Sequence, residues 1–257
     1  MRSAAGLYLL FGPGSRPRRS DVLAALTGLP DIAVSHDPAS STAEPGDDAA
    51  KTFGMAENWL ELLISGMTFD LLGLAPGPSM VKPEIVHRIA CDSDADLESM
   101  EALALVAGPH LSDAANSLPI VRAMLKLGCG LASVLDGANT LCWSPARTAM
   151  AKSMFCGSVD RWLGGGPVPG LGLTAFRVDQ DGALSSEGLD FFVDQELRLS
   201  PDLAQDRIAA TRLGVRLVHE IVGTGRVDVP REFVTEAGER VWLEPQAATG
   251  LIEVVRM

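Results

Sequence analysis

Residues 171–186, Leu171-Gly-Leu-Thr-Ala-Phe-Arg-Val178-Asp-Gln-Asp181-Gly182-Ala183-Leu-Ser-Ser186, decide the fold class. Asp181-Gly182 divides two runs of strand-forming residues, and glycine supplies the positive φ that tight hairpin turns need. The pattern predicts antiparallel strands over 171–178 and 183–186. Downstream, 191–199 reads as a strand, Ser200 caps and Pro201 opens a helix to Val222, and Gly223 ends it. Strands at 232–234, 240–244 and 251–255 then follow around a turn at Gly238. Upstream, 140–143 is a short strand and 153–163 a helix stopped by Gly164-Gly165-Gly166.

The middle of the chain reads as helical over 96–107 and, after a break at Gly108-Pro109, over 118–135, with Pro119 in the first turn and Gly137 at the end. Gly128, Cys129 and Gly130 lower helix propensity there and predict a close approach by another element. Nearer the start, 6–11 reads as a buried strand, 21–29 as a helix capped by Ser20, and 32–35 as a strand. Trp59, Leu62 and Leu63 at helical spacing make 55–64 a helix, and 69–75 and 85–91 read as strands. Strands in clusters, with helices between clusters, argue for an α+β fold: a mixed, mostly antiparallel sheet with helices packed on it. A repeated β-α-β-β half, a duplicated ferredoxin-like arrangement, is one form this order allows. We expect one domain over 1–257 with a mobile loop at 37–52, where the sequence is polar, rich in Pro and Gly, and without period.

Composition narrows the function classes. Of 257 residues 47% are hydrophobic and 21% charged, enough apolar surface for a core without disulfides. The 33 acidic against 21 basic side chains give a formal charge of -12, which repels nucleic acid. No apolar stretch reaches the length of a membrane span, and residues 6–11 lack a cleavage site behind them, so a cytoplasmic protein is expected. Cys91, Cys129, Cys142 and Cys156 form no Cys-x-x-Cys pair. Asp92, Asp94 and Asp96 alternate like a calcium loop, but Leu97 and Leu103 stand where glycine and glutamate are needed. No metal and no cofactor is expected.

Two groups of residues carry the candidate chemistry. Gly12-Pro-Gly14-Ser-Arg16-Pro-Arg18-Arg19 lies between a strand and a helix, where backbone N–H groups and the guanidinium groups of Arg16, Arg18 and Arg19 could hold an anion. It lacks the third glycine of a dinucleotide fingerprint and the lysine of a phosphate loop. The second group is Trp143, Ser144 and Arg147 at a strand exit, with Glu187 and Glu196 beyond the hairpin. Neighbouring strands would bring these onto one rim, with Arg147 paired to Glu187 or Glu196 at the mouth of a ligand cleft.

The run Ser186-Glu-Gly-Leu189-Asp-Phe-Phe192-Val-Asp-Gln-Glu196-Leu resembles the signature block of a bacterial domain-of-unknown-function family, number 4261. Supporting similarity lies in Cys142-Trp143-Ser144-Pro145, in 118–135, and in the apolar stretch 71–78. The resemblance spans most of the chain after Phe69 and implies a bacterial cytosolic protein, with no activity attached. The expectation for function is a non-catalytic protein-binding or regulatory module, one that neutralises a basic partner through its acidic surface. The alternative is an enzyme or small-molecule binder with a cleft near Arg147 and Glu187.

Overall fold

Strand β1, Leu7–Phe11, is buried at every residue, which requires cover on both faces of whatever sheet contains it. The computed structural model describes residues 5–40, 58–91, 96–235 and 238–256. Most of the loop expected at 37–52 lies outside them, as do Asp92, Asp94 and the start of the helix expected at 55–64. In the first sheet β1 is flanked by β6 (Glu101–Ala107) and β7 (Thr140–Trp143), antiparallel to both. Beyond β6 come β4 (Met67–Leu72), β3 (Trp59–Ile64) and the edge strand β2 (Ile32–His36). Beyond β7 come β8 (Thr148–Ala151) and the other edge strand, β5 (His87–Ile89), which runs parallel to β8.

Leu7, Leu9 and Phe11 belong to the core that includes helices α1 (Arg19–Leu26) and α2 (Leu118–Val134). Tyr8 and Leu10, on the opposite face by strand alternation, pack with Trp59, Leu72, Leu97 and Cys142. Among the described residues, loops cover that second face. Lys82 fastens them, its Nζ donating to the carbonyl oxygens of Leu97, Glu98 and Met100 at 2.7, 2.6 and 2.8 Å.

Helix α3 (Lys152–Leu163) leads from the first sheet to the second, which contains β9 (Ala175–Val178), β10 (Leu184–Glu187), β11 (Glu196–Leu199), β12 (Arg231–Val234), β13 (Arg240–Gln246) and β14 (Leu251–Arg256). Single turns of helix, α4 (Gly170–Leu173) and α5 (Asp190–Val193), precede β9 and β11. The order is β12-β13-β14-β11-β10-β9, antiparallel except for β11 beside β14. Helix α6 (Arg207–Thr224) makes that parallel crossover and buries Leu217, Val218, Ile221 and Val222. One buried cluster runs from Leu7 to Val254 through both sheets. The fold is therefore α+β with mixed, mostly antiparallel sheets. In the first sheet α2 joins two strands on either side of β1, whereas in the second α6 ends in a hairpin before β14, so the two wirings lend no support to a duplicated unit. Among the described residues no helix is long and apolar enough to cross a membrane.

Several expected elements differ. Residues 59–64 form strand β3, paired with β4 through Ser65 and Gly66, both at positive φ, so the helical spacing of Trp59, Leu62 and Leu63 is overridden by a hairpin turn. Residues 101–107 are strand β6, since Glu-Ala-Leu-Ala-Leu-Val-Ala sits between β4 and β1, where both faces are covered. Only 175–178 of the first hairpin run is strand. Residues 190–193 are helical before β11 begins. The cap expected at Ser200 lies at Asp206, whose side chain accepts the N–H groups of Ile208 and Ala209 at 3.0 Å each.

The close approach expected near Gly128 is present. A Cβ at Gly128 would lie 2.3 Å from Cδ2 of the fully buried Leu7, whereas one at Gly130 would meet its nearest neighbours at 3.6 Å. We therefore expect Gly128→Ala to destabilise the fold by about 1–3 kcal/mol, lowering the melting temperature by roughly 3–10 °C. Gly130→Ala should be neutral or stabilising by up to about 1 kcal/mol through helix propensity. Thermal unfolding of the two variants checks this, and equal effects would contradict it.

Candidate functional site

The two sheets are joined at a polar seam made by the β7–β8 turn and the end of β10. Arg147 closes that turn, its N–H donating to the Ser144 carbonyl at 3.1 Å and its backbone at a φ of 47°. Ser144 is held to the chain before β1: its Oγ accepts the Gly6 N–H at 2.9 Å and its own N–H donates to the Gly6 carbonyl at 3.1 Å. From the turn Arg147 reaches in two directions. Its Nε donates to Oε1 of Glu187, and its Nη1 donates to Oε2 of Glu84 at 3.0 Å. The other Glu187 oxygen, Oε2, lies 2.9 Å from Nε2 of His87 on β5. The Arg147 carbonyl accepts the N–H groups of Val86 and His87 at 3.0 and 3.1 Å. Beside it Gly188, at a φ of 96°, presses so closely on Ala146 that a Cβ there would lie 2.7 Å from the alanine methyl.

Burial works to raise the pKa of Glu187, but hydrogen bonds from Arg147 and His87, with their charges, outweigh it and hold the carboxyl below its usual range. Glu187 therefore stays ionised with both oxygens engaged.

Of the five residues expected on one rim, Arg147 and Glu187 bond directly and Ser144 shares the turn. Trp143 lies in the core with no exposure, edge-on to Phe191 at 5.4 Å between ring centres. Glu196 is one step away and serves the backbone. It accepts from the N–H groups of Gly188, Leu189 and Asp190 at 2.6, 3.3 and 3.3 Å, and from the hydroxyl of Ser186. Burial pushes the Glu196 carboxyl up to about 7, against the pull of the Ser186 hydroxyl, and the nearby Asp190 carboxylate adds to the rise. The sequence reading missed Glu84 and His87. Nothing local marks them, because β5 reaches the seam only through its pairing with β8.

The arginines of the first loop are placed otherwise. Arg16, with its side chain 8% exposed, donates to Glu101 at 3.0 Å and to the carbonyls of Gly73 and Gly77. Arg19 makes two hydrogen bonds to Asp37. Arg18 is exposed and borders a cleft of about 570 Å³, with Asp21 and Asp136 among its other walls. Two of the three guanidinium groups expected to hold an anion are thus bonded to the protein itself. Among the described residues no group of three or more His, Cys, Asp or Glu is placed to hold a metal ion.

Next to the seam lies an open cleft of about 460 Å³, bordered by β5, the edge of the first sheet, and β9, the edge of the second. Val86 and Val178 line it at 44% and 52% exposure. The Asp179 N–H bonds to the Ala183 carbonyl at 2.9 Å, which sets the alternation of the antiparallel ladder. By that alternation the N–H and C=O groups of Phe176 and Val178 point away from β10. On β5, His87 bonds back to Arg147, so Arg88 turns its backbone groups outward. Among the described residues, the ionisable side chains lining the cleft are His87, Arg88 and Arg207, with no carboxylate.

The raised Glu196 pKa has a thermodynamic consequence. The folded protein holds this proton up to about pH 7, against an ordinary value of 4.5. The native state thus binds more protons than the unfolded chain between those values, and stability falls as pH rises through the interval. Glu196→Gln should remove that slope, of the order of 1–3 kcal/mol, leaving stability nearly flat there. Denaturant unfolding across the interval checks it; an unchanged slope in the variant would contradict it. Comparison of the chain with protein-family models, with curated proteins and with solved structures gave no match, so the site stands on its own geometry.

Proposed function

We propose that this chain is a non-catalytic protein-binding module that takes a segment of a partner polypeptide at the cleft between β5 and β9. The observation that carries the reading is the meeting, at one open cleft with exposed valines on both sides, of two sheet edges that no strand among the described residues pairs. Unpaired edges are templates for another chain. The polar groups nearby support the same conclusion. A general base or nucleophile must present a lone pair or proton to substrate, but Glu187 has both oxygens bonded and Glu196 accepts from four donors. An enzyme or small-molecule cleft at Arg147 and Glu187 would first have to break those bonds. A role in neutralising a basic partner would have to use another face, since among the described residues the ionisable groups lining this cleft are His87 and two arginines. The free thiols of Cys91, Cys129, Cys142 and Cys156 fit a reducing, cytoplasmic setting.

The test is selection of a displayed random-peptide library against the full chain. We expect enriched peptides whose binding is lost in Val178→Asp and Val86→Asp and kept in Val229→Asp, a control at an exposed valine outside the cleft lining. A desolvated aspartate at a contact position should weaken binding by about tenfold or more. No enrichment, or binding indifferent to both cleft substitutions, would overturn the reading.

A further inference from the structure

We infer that the occupant of this cleft is an acidic polypeptide segment in extended conformation, added to β9 as a further strand with its carboxylates facing Arg88 and Arg207. The inference rests on the protein-binding reading and goes beyond it in naming the mode of binding and the chemistry of the partner.

The mode follows from the backbone. Phe176 and Val178 each present one N–H and one C=O on the free side of β9, the repeat that an incoming strand engages. The edge of β5 is shorter and turns out the backbone of Arg88 between two residues bonded to β8. Strand β9 is also firmly held from behind. It pairs along its length with β10, and Phe176 packs so tightly on α6 that a Cβ at Gly214 would lie 2.6 Å from the ring. A rigid edge costs little ordering on binding, which favours addition there.

Charge selects the partner. The chain carries a formal charge of -12, yet among the described residues no carboxylate lines this cleft. Arg88 is exposed on β5, and Arg207 at the start of α6 gives one hydrogen bond to the Gly182 carbonyl at 3.1 Å. Phe176 packs on α6, and Val178, two residues on, shares its face with Leu184 opposite, so Arg207 at the start of α6 lies on that same face. Successive side chains of an added strand point to opposite faces, so acidic residues at every second position can all be turned to this face, toward the arginines. A second copy of this chain fits less well. Edge-to-edge pairing about a twofold axis would bring the same two arginines of each copy to a shared rim.

The experiment measures fluorescence anisotropy of short labelled peptides, alternating valine with glutamate or valine with lysine, on the full chain. The glutamate peptide should bind saturably, more tightly as salt is lowered, and about tenfold or more tightly than the lysine peptide. Arg88→Glu with Arg207→Glu should reverse that order. Val178→Pro removes an outward N–H without touching the ladder to β10 and should weaken the glutamate peptide by about tenfold or more. Should that variant fail to fold, a glutamate peptide N-methylated at alternate residues serves instead, and it should not bind. Equal or tighter binding of the lysine peptide overturns the assignment of charge. Undiminished binding of the N-methylated peptide overturns strand addition. Self-association in sedimentation that Val178→Pro abolishes makes a second copy the occupant. If neither peptide binds while library peptides still hold the cleft, this inference fails and the protein-binding reading stands; if the library also yields nothing, both fail.

Discussion

Burial of β1 on both faces is the constraint from which the rest of the molecule follows. An interior strand needs backbone partners on either side and apolar cover above and below, and the chain supplies the four in different ways. Strands β6 and β7 give the partners, α1 and α2 cover one face, and loops cover the other. A helix satisfies its own backbone, whereas a loop laid over a sheet leaves carbonyls without donors. Here long cations supply them. Lys82 serves three carbonyls on one side of the cover and Arg16 two on the other. That is why Arg16, which by its place between a strand and a helix looked ready for an anion, is spent on the protein's own oxygen atoms.

The same constraint explains what could be read from the sequence. The reading and the structure agree for helix α2 with Pro119 in its first turn, the β9–β10 hairpin around Gly182, and the strands around Gly238, whereas the caps expected at Ser20 and Ser200 lie at Arg18 and Asp206. Where a segment is apolar along its whole length, period alone cannot choose between helix and strand. Glu-Ala-Leu-Ala-Leu-Val-Ala at 101–107 has the composition of a helix and becomes an interior strand because β1 needs a neighbour. Residues 59–64 were open to correction from within, since Ser65-Gly66 is a signal for a tight hairpin turn.

Site residues divide along the same line. Arg147 and Glu187 could be paired in advance because a turn and a hairpin, both legible, set their neighbourhood. Glu196 could not be assigned its role, since the sequence does not say that 190–193 turns as a helix and leaves N–H groups for a carboxylate to take. His87 and Glu84 lie about sixty residues or more before Arg147 and a hundred before Glu187, and a parallel pairing between distant strands leaves no mark on either segment.

The polar seam sets the relation of the two sheets, and through it the shape of the cleft. Partly buried ion pairs add little net stability, because desolvation offsets most of their attraction. What they add is geometry: removing either partner leaves a charge without compensation, so arrangements that separate Arg147 from Glu187 are disfavoured. Gly188 against Ala146 enforces the same contact sterically, at a φ that a side chain would strain. Glu187 is the last residue of β10, the strand paired with β9, while Arg147 and His87 belong to the turn before β8 and to β5. Bonding these three groups therefore ties the neighbour of one free edge to the other free edge. The polar cluster that the sequence had marked as its candidate for chemistry thus fixes the spacing of the two edges that border the cleft, and in the binding reading proposed above that spacing is its contribution.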